Sequence, residues 1–101
     1  MFSNLGKTIH KYRLIRNLSQ ETLGKQLGYR NGQFVSNIEN GKSSLPNSKI
    51  VLCSSVLEID YNILVTAVLR DTHENIINEC TKELNEYVIR KQRVPNFLDY
   101  I

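Results

Sequence analysis

Apolar residues recur at spacings of three and four along most of this 101-residue chain, the period of helices that each bury one side. Leu5, Ile9, Tyr12 and Ile15 mark a first helix over about residues 3–16. Asn17-Leu18 interrupts it, and Ser19 is placed to cap the next helix by accepting one of its orphan amides. Thr22, Leu23 and Leu27 carry that second helix over about residues 20–27, with Gly28 as its stop. A turn over residues 29–32 follows, with Asn31 as the expected N-cap of a third helix and Gly32 relieving crowding. Phe34, Val35 and Ile38 form its buried side; Gln33, Ser36, Asn37 and Asn40 lie around the rest, and Gly41 ends it. Pro46 suits the first turn of a fourth helix, whose expected buried stripe is Ile50, Val51, Cys53, Val56 and Leu57. Asp60 can cap a fifth helix bearing Ile63, Leu64, Ala67 and Val68. Asp71 and Glu74 have the spacing of a capping box, so that helix breaks near residue 71 and restarts, or runs on as one long bent helix. Ile76, Ile77, Cys80, Leu84, Tyr87 and Val88 then form a clear helical stripe, ended at Val94-Pro95-Asn96. No strand pattern competes. The prediction is an all-α fold: a five-helix domain over residues 1–70, with an extra C-terminal helix and tail over residues 71–101.

Composition narrows the class. The chain is 41% hydrophobic and 23% charged, which fits one folded domain with a modest core and not a disordered segment. Its longest apolar run, around Ile63-Leu64-Val65 and Ala67-Val68-Leu69, is too short to span a bilayer, and no hydrophobic leader follows the basic N-terminus. A cytoplasmic protein with no membrane partner is expected. Cys53 and Cys80 lack metal-site or disulfide spacing, and His10 and His73 are isolated, so neither metal nor cofactor is expected. No nucleophile–base pair, paired acids or Gly-rich phosphate loop can be assembled, and an enzyme is not expected. The net charge of +3 conceals an asymmetry. Residues 1–49 hold eight basic against two acidic side chains, a net +6, whereas residues 50–101 hold five against eight, a net −3. A basic front half is the side that would meet a polyanion.

Two short helices joined by a tight turn are the smallest apparatus that places one helix in a DNA major groove. Leu18-Ser19-Gln20-Glu21-Thr22-Leu23, then Val35-Ser36-Asn37-Ile38-Glu39-Asn40-Gly41-Lys42, then Pro46 stand here in an order and spacing that resembles the lambda-repressor-like helix-turn-helix family, of the Xre or Cro/C1 type. The resemblance covers roughly residues 5–64. It implies a transcriptional regulator, a dimeric repressor binding double-stranded DNA at a palindromic operator. It also implies roles for named side chains. Gln33 and Asn37, with Arg30 and Asn31 at the rim, fall where the family reads bases; amides suit adenine and Arg suits guanine. Gln20, Asn40, Lys42, Ser43 and Ser44 fall where the family touches phosphates, and Ser36 either does so or faces solvent. Arg13 and Glu39 match an arginine–glutamate pair bracing the third helix on the first. Phe34 reads as partial core in preference to a wedge. The stretch from Gly28 to Ser36 holds one residue more than the commonest family turn, and Asn31-Gly32 is where it can be absorbed.

The stripe Ile76, Ile77, Cys80, Leu84, Tyr87 and Val88 is a candidate dimerisation surface, the alternative being packing on the domain's own fifth helix. The apolar tail residues Phe97, Leu98, Tyr100 and Ile101 can cross to a partner subunit, dock another protein, or be disordered. An antitoxin, or another interaction module whose C-terminal segment binds a partner protein, is the competing function.

Overall fold

The computed structural model describes residues 2–90 of the chain, which are all-helical. Five helices run in order: α1 (Ser3–Ile15), α2 (Gln20–Gln26), α3 (Gln33–Glu39), α4 (Ile50–Leu57) and α5 (Tyr61–Arg90), with a 3₁₀ turn at Asn47–Lys49 ahead of α4. The expected end at Val94-Pro95-Asn96 and the tail residues Phe97, Leu98, Tyr100 and Ile101 lie outside the described residues.

The core is one cluster in which every helix has a share. Leu5 and Ile9 of α1, Leu23 and the following Leu27, Val35 and Ile38 of α3, Cys53 and Leu57 of α4, and Leu64 and Ala67 of α5 are buried together with Leu45 and Ile50. Three positions depart from the expected stripes because each lies off the side that its helix turns to the core. Ile15 at the last turn of α1 is 55% exposed, and Val51 at the first turn of α4 is 67% exposed. Ile63 sits at the margin of the core. Burial of Ser54, whose hydroxyl donates to the Val51 carbonyl at 2.7 Å, takes the place expected of Val51 on α4. Pro46 is extended (φ −57°, ψ 140°) and leads into the 3₁₀ turn, so α4 starts only at Ile50.

Of the two readings of the C-terminal third, a restart near residue 71 or one long helix, the second holds. No break occurs at Asp71; α5 is continuous through it, and the expected extra helix is the second half of α5. Asp71 is 1% exposed, and its two carboxylate oxygens accept from the backbone amides of Asn4 at 2.9 Å and Leu5 at 3.0 Å. Those amides are orphan donors of the first turn of α1. Phe2, at the N-cap, has no side-chain acceptor to offer them. Glu74 adds a contact from the Asn4 side-chain amide at 3.3 Å. Asp71 therefore does cap a helix, but the helix is α1, not its own.

Beyond residue 71, α5 leaves the body of the domain. At 1.5 Å per residue its 30 residues run about 45 Å, which accounts for the elongated 59 × 24 × 22 Å envelope. None of the helices among the described residues is long and apolar enough to cross a membrane.

Candidate nucleic-acid interface

Helix α2 begins at Ser19, whose hydroxyl oxygen accepts from the Thr22 amide at 3.0 Å as the sequence requires. It ends as Gly28 turns to φ +94°, letting the Tyr29 amide reach back to the Gly24 carbonyl at 2.9 Å. The longer turn that follows is accommodated by close backbone approach. A Cβ at Gly32 would lie 2.7 Å from backbone atoms of Gln20 and Glu21, and one at Gly24 would collide with the Asn31 carbonyl. The extra residue thus lies flat against α2, and two glycines make that contact possible. Gly32, not Asn31, occupies the N-cap position of α3. Asn31 still satisfies an orphan donor there, since its Oδ1 accepts from the Gln33 amide at 2.9 Å.

Further contacts fix the turn into α3, of which only the core packing of Phe34 was expected from the sequence. Tyr29 stacks on Phe34 with ring centroids 4.3 Å apart. Lys49 stands over the Tyr29 ring at 5.5 Å and donates to the Leu27 carbonyl at 2.7 Å. Phe34 packs against the core and is half-buried.

The far end of α3 is tied to α1. Arg13, 8% exposed, donates through Nε to Glu39 Oε2 at 2.7 Å and through Nη2 to Oε1 at 3.0 Å. Its remaining nitrogen, Nη1, donates to the Leu18 carbonyl at 2.8 Å, so one guanidinium binds α3 and the α1–α2 link together. His10 Nδ1 lies 2.7 Å from Glu39 Oε1, and Gln20 Nε2 donates to the same oxygen at 3.3 Å. Burial opposes ionisation of Glu39, but donation from Arg13, His10 and Gln20 outweighs it and holds the carboxyl below its usual range. Its hydrogen bond to Glu39 raises Arg13 above its usual range, against burial. His10 and Gln20 as members of this cluster were not legible: the first looks isolated in sequence, and the second carries a phosphate-binding expectation.

With Val35 and Ile38 turned inward and Glu39 turned to α1, Gln33, Ser36, Asn37 and Asn40 are left on the outer face of α3 at about 100° per residue. Gln33 and Asn40 are exposed; Ser36 and Asn37 are half-buried. Gln33 Nε2 donates to Asn37 Oδ1 at 3.0 Å, and Asn40 Nδ2 approaches Ser36 Oγ at 3.4 Å. Arg30 and Asn31 are exposed on the turn before α3. Lys42 is exposed, and Ser43 and Ser44 are half-buried, in the loop after it. These residues lie on α3, on the turn before it and in the loop after it, and Gln20, at the start of α2, is half-buried and engaged with Glu39. The two acids between residues 20 and 44 are both paired: Glu39 with Arg13 at 2.7 Å, and Glu21 with Lys25 at 3.2 Å. A polar helix face flanked by cations and free of negative charge can approach a phosphodiester duplex.

A second short helix held across the first by a tight turn, with its outer face amide-rich and cationic at the edges, defines a helix-turn-helix protein. The chain belongs to the helix-turn-helix family of the Xre, or Cro/C1, type, whose model matches residues 9–64. No curated protein matches it. Among solved structures it is similar to the restriction-modification controller protein C.AhdI from Aeromonas hydrophila. The two share 25% identity at a TM-score of 0.57, over 62% of this chain and 94% of the other. It shares its fold with the clp gene regulator ClgR from Corynebacterium glutamicum, at 12% identity and a TM-score of 0.59, over 85% of this chain and 90% of that one.

Proposed function

We propose that this chain is a cytoplasmic, sequence-specific regulator of transcription that acts as a homodimeric repressor, reading a palindromic operator through the major groove. The observation that carries the reading is the outer face of α3: Gln33 and Asn37 stand clear of the core on a helix braced at both ends. In this reading Gln33 and Asn37 contact base edges, with Arg30 and Asn31 beside them. Gln20, Ser36, Asn40, Lys42, Ser43 and Ser44 bind the backbone and set register. The likeness to a restriction-modification controller supports a regulatory role.

The dimer rests on α5. Leu64, Ala67, Val68 and Asp71 face the chain's own domain. Ile76, Cys80, Leu84 and Tyr87 lie about half a turn away round the same helix. Since these residues continue the fifth helix, they cannot pack on it, and Ile76, Ile77, Leu84 and Val88 are each close to half exposed. A second copy of the chain is the occupant we assign, because one such domain reads too few bases for useful specificity and a two-fold pair doubles the site.

The test is selection of sites from a random duplex library, followed by salt titration of the best site. A two-fold site is expected. Gln33→Ala and Asn37→Ala should each relax it by about 1–3 kcal/mol per lost base contact. Lys42→Ala should weaken all sequences evenly and lower the salt slope by about one. Weak, steeply salt-dependent binding that ignores sequence and both amide substitutions would overturn this reading. It would favour the competing one, in which residues 71–101 bind a partner protein.

A further inference from the structure

We infer that Gln33 and Asn37 read DNA as one polarity-locked unit, so that preferences at two neighbouring base pairs are coupled. This deepens the proposed base-reading role and rests on it. The two amides sit one turn apart on the outer face of α3, joined by the hydrogen bond from Gln33 Nε2 to Asn37 Oδ1 at 3.0 Å. A primary amide carries its acceptor oxygen and its donor nitrogen on opposite arms of one plane, with two lone pairs on the first and two N–H groups on the second. With one N–H of Gln33 given to its neighbour, Oε1 is the arm left wholly free to point outward. With the oxygen of Asn37 turned back, Nδ2 is the free outward pole. If both amides rotate together the bond survives with its direction reversed, and the outward poles become a donor at Gln33 and an acceptor at Asn37. If one rotates alone, two oxygens or two nitrogens face each other and the bond is lost. The pair therefore presents unlike poles to neighbouring base pairs.

The major-groove edges make that selective. Guanine offers only acceptors, N7 and O6; adenine offers the N7 acceptor and the N6 donor; cytosine offers the N4 donor; thymine offers the O4 acceptor. An outward oxygen suits adenine or cytosine and is opposed by O6 of guanine, whereas an outward N–H suits guanine, thymine or adenine N7. Reading one position as a donor therefore favours an acceptor at the other. The α3 backbone reinforces the coupling. Asn31 accepts from the backbone amide of Gln33, and Tyr29 and Phe34 hold the same turn, so the backbone that carries the pair is fixed.

The experiment takes the best site selected by the full-length protein and varies the two adjacent base pairs that respond to Gln33→Ala and Asn37→Ala, through all combinations. In the wild-type protein we expect doubly changed duplexes to depart about tenfold from the product of the single changes, a coupling of the size of one base contact. Either alanine variant should restore simple multiplication. Gln33→Glu, which holds an acceptor at position 33 and still accepts from Asn37, should keep the fold and retain only the combinations that present a donor to position 33. Coupling that persists unchanged in both alanine variants overturns the inference, as does multiplicative behaviour in the wild type. If neither alanine variant alters preference at any base pair, it is the base-reading assignment itself that fails, a separate and recognisable outcome.

Discussion

Asp71 lies 66 residues from Leu5 in sequence, yet it completes the first turn of α1 by accepting from two backbone amides. An acid just N-terminal to a helix does this job routinely; here it arrives from the middle of another helix and is itself buried. Asp71→Ala should leave the Asn4 and Leu5 amides without acceptors. The expected loss is about 1–3 kcal/mol, the range for orphaning buried donors, read from urea unfolding. Asp71→Asn, with one acceptor oxygen kept, should lose less. An alanine variant as stable as wild type would show that water replaces the carboxylate at no expense. Burial of Cys53 pushes its thiol up to about 12, so it stays protonated and unreactive at neutral pH.

At the scale of elements, α3 is seven residues long and too short to persist alone in water. Val35 and Ile38 anchor its inner face; Glu39, held by Arg13, His10 and Gln20, fixes its end. Because the folded protein holds Glu39 below its usual range, the resulting stability is fully present above the unfolded carboxylate value of about 4.3. It disappears as pH falls through the lowered folded value. Glu39→Gln should therefore be less stable than wild type at pH 7, and the gap should close as the pH is brought down toward 3. A gap that stays constant across urea midpoints in that range would mean that the charge on Glu39 is immaterial. The Arg13–Glu39 match came from the family pattern, and both residues meet in the structure. His10 and Gln20 were illegible because their partner is 29 and 19 residues away, respectively, on a helix whose orientation no local period encodes.

The whole molecule is a small domain with a helix standing out from it, carrying an apolar stripe on the side opposite the domain. In the proposed dimer that stripe is covered by its counterpart. Replacing Ile76 and Leu84 together by Asp should yield a monomer in sedimentation analysis. The helical content should survive, since neither side chain packs in the chain's own core, and affinity for a two-fold operator should fall steeply. If the wild-type protein sediments as a monomer at concentrations that saturate its operator, the homodimer is wrong. If the double variant remains a dimer, the interface lies elsewhere.

Sequence by itself determined what is local or periodic: the five helices, the Ser19 cap, the stop at Gly28, and the outward position of Gln33 and Asn37. These follow from spacing, capping chemistry and the reach of a side chain within one turn. Tertiary structure alone decided where long-range partners fall. The spacing of Asp71 and Glu74 signalled a helix start, but only the packing of α5 against α1 shows which start they serve. Gly32 read as relief at a cap, and only the approach of the turn to α2 shows what a side chain there would strike. The continuity of α5 belongs to the same group. With its carboxylate occupied by α1, Asp71 has no reason to cap its own helix, and the helix runs on.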